Sequence, residues 1–207
     1  MLAKSGLLRI GLPEEYGGIN ADHTTIALAV EELAKVDTSA AMIVFVTQAL
    51  IQILKQWSKE EQKRRFFGKM ANAPTVNAFS LTEANCGSES ASVQTRAVLN
   101  GDHYLVNGTK LFVTNGSIAD LMLVVVHTGE GEREKGLSVL ILEKGTPGFT
   151  VVNREDKLGL RGIDLTELVL NNVKVPVENL IGRPGEGWNV LMTKGADMRV
   201  YGPGPCL

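Results

Sequence analysis

The sequence contains little cysteine and little histidine. Its 207 residues include two cysteines, Cys86 and Cys206, and three histidines, His23, His103 and His127. Two cysteines do not make a disulfide framework, so we expect the protein to occupy a reducing compartment. The three histidines are far apart in the sequence and show no metal-ligand spacing, so we predict no metal site.

A strong charge of either sign is also missing. The net charge of -2 argues against a surface that binds nucleic acid. The hydrophobic share of 44% and the charged share of 21% are those of an ordinary globular protein with a real core. A chain of 207 residues has room for one large domain or two smaller ones.

The sequence shows no clear targeting or membrane segment. The N-terminal run MLAKSGLLRIGLPEEYGG lacks the apolar region of a signal peptide and the arginines of a transit peptide, so we predict no targeting segment in this chain. The most apolar stretch, residues 40–54, is short for a membrane span and is interrupted by Thr47, Gln48 and Gln52. We interpret this stretch as a buried helix and predict no membrane span.

The first part of the chain has the hydrophobic spacing of helices. Asp22 and Ser39 are predicted to cap two helices, the second of them nearly all apolar. Ser58 begins the sequence Ser-Lys-Glu-Glu, which has the form of a capping box and predicts a third helix. Residues 1–74 are therefore predicted to form a helical N-terminal domain that is incomplete at its start.

The pattern then changes from helical spacing to short alternating strands. Asn100-Gly101, Asn107-Gly108 and Asn115-Gly116 are predicted turns between these strands. Short strands at this spacing predict an antiparallel β-sandwich or barrel over residues 75–184. Residues 185–207 are predicted to be the truncated start of a C-terminal helical domain, so the predicted fold class is α+β.

The stretch Phe79–Ser92, FSLTEANCGSESAS, begins as a short extended run and becomes a loop of small residues. Such a loop presents backbone N–H groups and hydroxyls, which suits an anionic or flat heterocyclic ligand. A tight loop that binds nothing is an equal alternative. We interpret Glu83 and Glu89 as residues that order the loop, and Cys86 as a small buried filler.

Two later motifs are further candidates for a ligand site. In LFVTNG, Phe112 and Thr114 fall on the same side of a strand, where they could pack against a heterocycle and bond its edge. A core phenylalanine and an ordinary strand threonine are the alternative. In LGLRGIDLT, residues 158–166, the Arg, Asp and Thr side chains either order a loop or meet a ligand.

Six segments together resemble the acyl-CoA dehydrogenase family. They occur in that family's order and spacing between Leu7 and Leu191: LPEEYGG, SLTEANCGSES, NGTKLFVTNG, GLSVLILEKGTPGF, EDKLGLRG and NVKVPVENLIG. The resemblance implies a helical domain, a β domain and a C-terminal four-helix domain. It also implies FAD as cofactor, an acyl-CoA thioester as substrate, a homotetramer, and electron-transfer flavoprotein as the electron acceptor.

The resemblance assigns site residues by position. Its predicted cofactor contacts are Phe79, Leu81, Thr82, Gly87, Ser88, Phe112, Val113 and Thr114. Gly87 and Ser88 would serve the pyrophosphate side, Ser88 would also contact substrate, and Thr114 would donate to the reactive edge of the flavin. Phe112 stands where the family usually has Trp, and the loop departs from the family pattern at Ala84, Asn85 and Glu89.

The implied reaction is α,β-dehydrogenation, in which a glutamate takes the α-proton of the thioester and hydride leaves to the flavin. Asp197 and Arg199 match a substrate-contacting segment. A minority of the family carries the base immediately before this arginine, where this chain has Met198, so we predict no catalytic base and an inactive 207-residue fragment.

We predict that the chain is a fragment of an FAD-dependent acyl-CoA dehydrogenase of fatty-acid β-oxidation or branched-chain amino-acid catabolism. Such an enzyme would act in the mitochondrial matrix of a eukaryote or in the cytoplasm of a bacterium. Two alternative functions remain open. The chain could be an inactive flavin- or partner-binding remnant. It could also derive from an acyl-CoA oxidase or flavin monooxygenase with the same fold, which would differ in the access of oxygen to the flavin.

Overall fold

The computed structural model describes residues 2–129 and 133–193. Its α-helices before the sheet are α1 (Leu2–Ser5), α2 (His23–Ala34), α3 (Thr38–Trp57) and α4 (Glu60–Asn72). A further helical run covers residues 187–193. The helices alternate with short 3-10 turns near the N-terminus, and the strands all follow α4.

The helix starts agree with the predicted caps at one position and differ at another. The Thr25 N–H donates to Asp22 Oδ1 at 2.8 Å, which confirms Asp22 as the cap of α2. The cap of α3 is Asp37 rather than Ser39, because its carboxylate accepts from the Ala40 N–H at 3.1 Å. A carboxylate at this place also interacts favourably with the helix dipole, which an uncharged hydroxyl cannot match.

Helix α4 begins later than the predicted capping box places it. The Lys59 N–H donates to Gln62 Oε1 at 2.9 Å, so the box is built on Lys59 and Ser58 lies outside it. The Gln62 amide also donates to the carbonyls of Glu178 and Leu180, at 2.7 and 2.8 Å. Gln62 therefore joins the start of α4 to the far end of the sheet, a long-range pairing that local sequence cannot show.

Helix α3 is long and apolar enough to cross a membrane by length and composition alone. In this fold, however, 67% of the most apolar 18-residue stretch of α3 is buried inside the protein. The Gln48 amide inside this helix donates to the carbonyls of Leu7 and Leu8 and accepts from the Gly11 N–H. Gln48 therefore anchors the N-terminal segment to α3, and its polar groups are satisfied inside the protein.

Eight strands of the described residues form one sheet in the order β6-β7-β3-β2-β4-β5-β8, with β1 beside β4. The strands are β1 (Asn77–Ser80), β2 (Arg96–Asn100), β3 (His103–Thr114), β4 (Leu121–His127), β5 (Leu137–Glu143), β6 (Phe149–Arg154), β7 (Leu165–Pro176) and β8 (Leu180–Ile181). The α+β class is confirmed. The sheet is mixed, because β4 runs parallel to both β1 and β2.

Strand β4 is buried on both faces, which explains its unbroken apolar sequence LMLVVVH. Leu121, Leu123 and Val125 belong to the core that contains Phe66 and Phe67 of α4. The alternate residues of the strand belong to a second core, which lies among the strands themselves. The strand is therefore shared between the helix-facing core and the interior of the β part.

The predicted turn at Asn107-Gly108 is wrong, because β3 runs without interruption from His103 to Thr114. The pairing with β7 shifts register between Val106 and Gly108 instead. A Cβ at Gly108 would overlap Thr95, the residue directly before the neighbouring strand β2. The glycine is needed here for the close approach of two strands, not for a reversal of the chain.

Candidate functional site

The ends of β1 and β3 bring two of the predicted cofactor segments together. The Leu111 N–H donates to the Thr82 carbonyl at 2.8 Å, so the residues that follow β1 lie beside the last residues of β3. Phe79, Leu81, Thr82 and Thr114 are all half-buried. The predicted contacts from both segments therefore meet at one edge of the sheet.

A buried ion pair fixes this junction. The Lys110 ammonium donates to Glu83 Oε1 at 2.7 Å and to the Leu81 carbonyl at 3.0 Å, and its side chain is 0% exposed. The Glu83 carboxylate also accepts from the Gln94 N–H at 2.7 Å, the Thr95 N–H at 3.0 Å and the Thr95 hydroxyl at 2.6 Å. Both buried charges are thus paired and hydrogen-bonded, which is the condition for keeping them inside a protein.

The surroundings of Glu83 make it a poor proton carrier. Burial raises the pKa of its carboxyl, but the Lys110 charge and the hydrogen bonds from Lys110, Thr95 and Gln94 lower it further, so the pKa lies below its usual value. The group stays ionised at neutral pH with its lone pairs engaged. Glu89 forms an ion pair with Arg133 at the surface. Both carboxylates order the loop, as the sequence predicted.

The lowered Glu83 pKa predicts a loss of stability in acid. A carboxyl with a lower pKa in the folded state stabilises the fold above its unfolded pKa, near the ordinary 4.5, and this contribution disappears as the pH falls through the folded value. We expect the free energy of unfolding in urea to fall with pH below about 4.5. The slope should be smaller in a Glu83→Gln variant, and equal slopes in the two proteins would contradict the assignment.

The middle of the small-residue loop combines a buried thiol with two exposed residues. The Cys86 side chain is buried, and burial together with the Glu83 charge raises the pKa of its thiol. Cys86 therefore stays protonated at neutral pH and fills space, as predicted. Gly87 and Ser88 are exposed, and the Ser90 hydroxyl donates to the Gly87 carbonyl at 3.3 Å. The two residues assigned to the pyrophosphate side thus lie open to solvent.

Phe112 occupies a β-bulge near the end of β3. The pairing with β7 shifts register between Lys110 and Val113, and Phe112 has a left-handed φ of 55°. This conformation is rare for a bulky residue and is concentrated at binding and active sites. The bulge leaves the Phe112 side chain 55% exposed and places the Val113 side chain in the core. Phe112 can therefore offer a ring to a ligand, whereas Val113 can offer only its backbone.

Asn115 holds the backbone directly behind Thr114. It is fully buried with a left-handed φ of 64°, which asparagine tolerates better than most residues. Its N–H donates to the Asp164 carbonyl at 3.2 Å, and its side-chain amide donates to the Asn77 carbonyl at 3.0 Å. These bonds tie the end of β3 to β1 and to the loop before β7. Thr114 is thereby held beside the start of β1.

The motif LGLRGIDLT orders the backbone around this site. Asp164 Oδ2 accepts from the Ser117 N–H at 2.7 Å, and the Thr166 hydroxyl donates to the Val113 carbonyl at 3.1 Å. The arginine of the motif donates to a backbone carbonyl four residues before it. Of the two alternatives left open by the sequence, the hydrogen bonds favour loop ordering.

The close approach of Gly116 to Thr166 gives a direct test of this packing. A Cβ at Gly116 would overlap the Thr166 hydroxyl and would lie 3.3 Å from Leu168 Cδ2. We expect Gly116→Ala to lower the free energy of unfolding by about 1–3 kcal/mol, since overpacking a filled core forces backbone shifts. Urea unfolding monitored by circular dichroism provides the measurement.

Two further variants make this test specific. In a Thr166→Ala background the overlapping hydroxyl is gone, so Gly116→Ala should cost less than it does in the wild-type protein. Gly159→Ala is the matched control, because a Cβ at Gly159 meets no atom within 4 Å. An equal cost in both backgrounds would show that the steric argument is incorrect.

Three of the predicted site positions, Asp197, Met198 and Arg199, lie outside the described residues. Their roles therefore remain predictions. Within residues 2–129 and 133–193, no group of three or more His, Cys, Asp or Glu side chains could hold a metal ion. Lys110 and Asn115 were not predicted to support the site.

Two family models match the chain in succession. The N-terminal domain of acyl-CoA dehydrogenase matches residues 1–74, and the middle domain matches residues 78–173. A short-chain-specific acyl-CoA dehydrogenase of Clostridium acetobutylicum is 39% identical over 192 residues, which are 92% of this chain and 51% of the relative. The chain spans about half the length of the curated relatives it matches.

Solved structures agree with these matches. Butyryl-CoA dehydrogenase from Megasphaera elsdenii superposes with a TM-score of 0.92 and 36% identity, over 97% of this chain and 54% of that chain. The FAD complex of PigA superposes with a TM-score of 0.84 and 26% identity, over 91% of this chain and 50% of that chain. Since both matched domains and the fold neighbours point the same way, the chain belongs to the acyl-CoA dehydrogenase family.

Proposed function

We propose that this chain supplies one wall of the FAD site of an acyl-CoA dehydrogenase, which oxidises an acyl-CoA thioester to the 2-enoyl-CoA. The observation that carries the proposal is the hydrogen bond from the Leu111 N–H to the Thr82 carbonyl. This bond brings a half-buried hydroxyl segment and an exposed aromatic ring to the same edge of the sheet. The proposal is supported by family membership and by the FAD complex among the fold neighbours.

The side chains at this edge fit the chemistry of a flavin. The half-buried hydroxyls of Thr82 and Thr114 can bond the polar edge of a flat heterocycle, and the Phe112 ring offers an apolar face. Gly87 and Ser88 lie exposed on a loop of small residues, where backbone N–H groups and a hydroxyl can meet a phosphate. When bound, FAD would supply the hydride acceptor for the oxidation.

The described residues would hold and orient the cofactor, and they do not supply the base. Glu83 is buried in an ion pair with Lys110, and Glu89 is paired with Arg133. The Glu83 carboxylate has its lone pairs engaged and cannot take a proton from a thioester, and Glu89 lies at the surface with its side chain 61% exposed. The proposal therefore assigns proton abstraction to a group outside the described residues. It keeps Ser88, Asp197 and Arg199 as proposed substrate contacts.

The proposal includes partners and a place in the cell. Electron-transfer flavoprotein is the proposed electron acceptor, and the complete enzyme is proposed to assemble from several copies. Such an enzyme would act in the mitochondrial matrix of a eukaryote or in the cytoplasm of a bacterium. Acyl-chain oxidation in these compartments agrees with the reducing environment expected from the two cysteines.

Binding of added FAD to the purified chain tests the proposal. We expect the protein to bind added FAD reversibly and weakly, because it spans about half of its relatives and would contribute only part of the site. Titration of FAD with protein, followed by quenching of flavin fluorescence, should saturate at one flavin per chain. No quenching at any concentration would overturn the proposal. A stoichiometric flavin that survives gel filtration would show that the described wall is sufficient.

The same preparation separates dehydrogenase from oxidase chemistry. We expect the 207-residue chain to show no turnover of an acyl-CoA with either oxygen or an artificial electron acceptor, because we predict no catalytic base in it. Turnover with an artificial acceptor would show that a base is present after all. Turnover with oxygen would favour an acyl-CoA oxidase.

A further inference from the structure

Lys110 links the two segments that would face the cofactor. It belongs to the segment on β3, and its ammonium bonds the segment that follows β1. Lys110 lies on β3, two residues before Phe112, and the next residue, Leu111, bonds the Thr82 carbonyl. Its ammonium reaches across to the Leu81 carbonyl at 3.0 Å. Two consecutive residues of β3 therefore hold two consecutive carbonyls of the segment after β1.

Glu83 limits where this ammonium can lie. Its Oε1 accepts from Lys110 and from the Thr95 hydroxyl, while Oε2 accepts from the Gln94 N–H. The carboxylate is thus fixed by donors at the start of β2, independently of β3. A lysine side chain is flexible in water, but here it is fully buried with defined acceptors, so its position is set.

The bulge at Phe112 begins immediately after this anchored pair. Regular pairing with β7 stops at Lys110 and resumes at Val113, whose carbonyl accepts from the Thr166 hydroxyl at 3.1 Å. The left-handed Phe112 lies between these two fixed points. A strained conformation persists only where the surroundings determine it, and Lys110 is the anchor on the N-terminal side.

We propose that Lys110, held by Glu83, is a positioning residue that sets the register between Leu81–Thr82 and Phe112–Thr114, and so the shape of the cofactor-binding wall. The inference deepens the proposed function and rests on it. If the ion pair only stabilised the fold, weakening it would speed amide hydrogen exchange equally in all strands. If it positions these segments, weakening it should speed exchange mainly at the junction of β1 and β3.

Hydrogen exchange in the cofactor-free protein tests the register directly. Thr95→Val removes one donor from Glu83 without leaving a buried charge alone, and Thr95→Ser keeps that donor. We expect the Leu111 amide to exchange about tenfold faster in Thr95→Val, relative to the Val124 amide in the centre of β4, with Thr95→Ser close to wild type. Equal acceleration at both amides, or none at Leu111, would overturn the proposal.

FAD affinity tests the consequence for the cofactor. In the Lys110→Met/Glu83→Gln double variant both charges are removed together, and we expect the FAD dissociation constant to rise about tenfold while circular dichroism shows a folded protein. The control is Arg65→Met/Glu143→Gln, which removes the partly exposed ion pairs of Glu143 with Arg65 and Lys69 between α4 and β5. It should leave the dissociation constant unchanged.

The outcomes separate the two proposals. If the wild-type chain binds FAD and the double variant binds it equally well, the positioning role is wrong and the proposed function stands. If both double variants lose affinity alike, the effect is one of general stability and the positioning role is again wrong. If the wild-type chain binds no FAD, the proposed function fails, and the exchange of Leu111 alone decides the role of Lys110.

Discussion

Replacing Lys110 with methionine is expected to lower the free energy of unfolding by about 3–5 kcal/mol. The substitution leaves the Glu83 carboxylate in the interior, where the ammonium is its only cationic partner among the described contacts. It also removes a donor from the Leu81 carbonyl. Since small proteins are stable by about 5–15 kcal/mol in total, this is a large fraction of the whole. Urea unfolding at neutral pH gives the measurement.

The double variant Lys110→Met/Glu83→Gln distinguishes a charge effect from a packing effect. Removing both charges should cost less than the sum of the two single variants, because no ion is then left unpaired. Arg64→Met is the surface control, since the Arg64–Glu61 pair lies on the exposed side of α4. We expect it to change stability by less than about 1 kcal/mol. Additive single effects would mean that the pair is not coupled.

The spacing of hydrophobic residues along the sequence was enough to divide the chain into a helical part and a strand part. The apolar run with Gln48 and Gln52 predicted a buried helix, and α3 is one, with the Gln48 amide bonded to the N-terminal segment. The unbroken apolar run from Leu121 to His127 likewise forms a strand, β4, that is buried on both faces. Such elements follow from burial patterns that are local in the sequence.

The structural features that the sequence did not predict depend on contacts between distant segments. Asn107-Gly108 has the composition of a turn, yet the approach of Thr95 to Gly108 decides that the strand continues. Likewise, the parallel pairing of β1 with β4 joins residues that no hairpin connects. Turn composition reports local preference, and tertiary contacts override it where they bury more surface.

The sequence predicted where the candidate site lies, but it did not predict the buried residues that hold the site in place. The motifs around Phe79 and Phe112 were recognised by their resemblance to a family, and the structure brings them to one edge. Lys110 was missed although it alternates in phase with the buried residues Tyr104 and Val106 of β3. A lysine at an inward-facing strand position is a usable signal, because a buried ammonium requires an acceptor nearby.

Replacing Phe67 with alanine is the second substitution with a large expected effect. The Phe67 side chain is fully buried in the core shared by the helices and β4, and its ring packs edge-on against Tyr16 with centroids 5.3 Å apart. We expect a loss of about 3–5 kcal/mol, from lost burial and the cavity left behind. Because this core includes helix and strand residues, helical circular dichroism and tryptophan fluorescence should report the same lowered midpoint.

Phe112→Ala is the matched control, because it deletes the same ring from an exposed position. Its side chain is 55% exposed, so the change should cost less than about 1 kcal/mol of stability. If the ring forms part of the proposed flavin wall, FAD affinity should fall in Phe112→Ala and remain near wild type in Phe67→Ala below its unfolding midpoint. The opposite pattern would place the wall elsewhere. One residue type at two positions thus separates what maintains this fold from what the fold presents to a ligand.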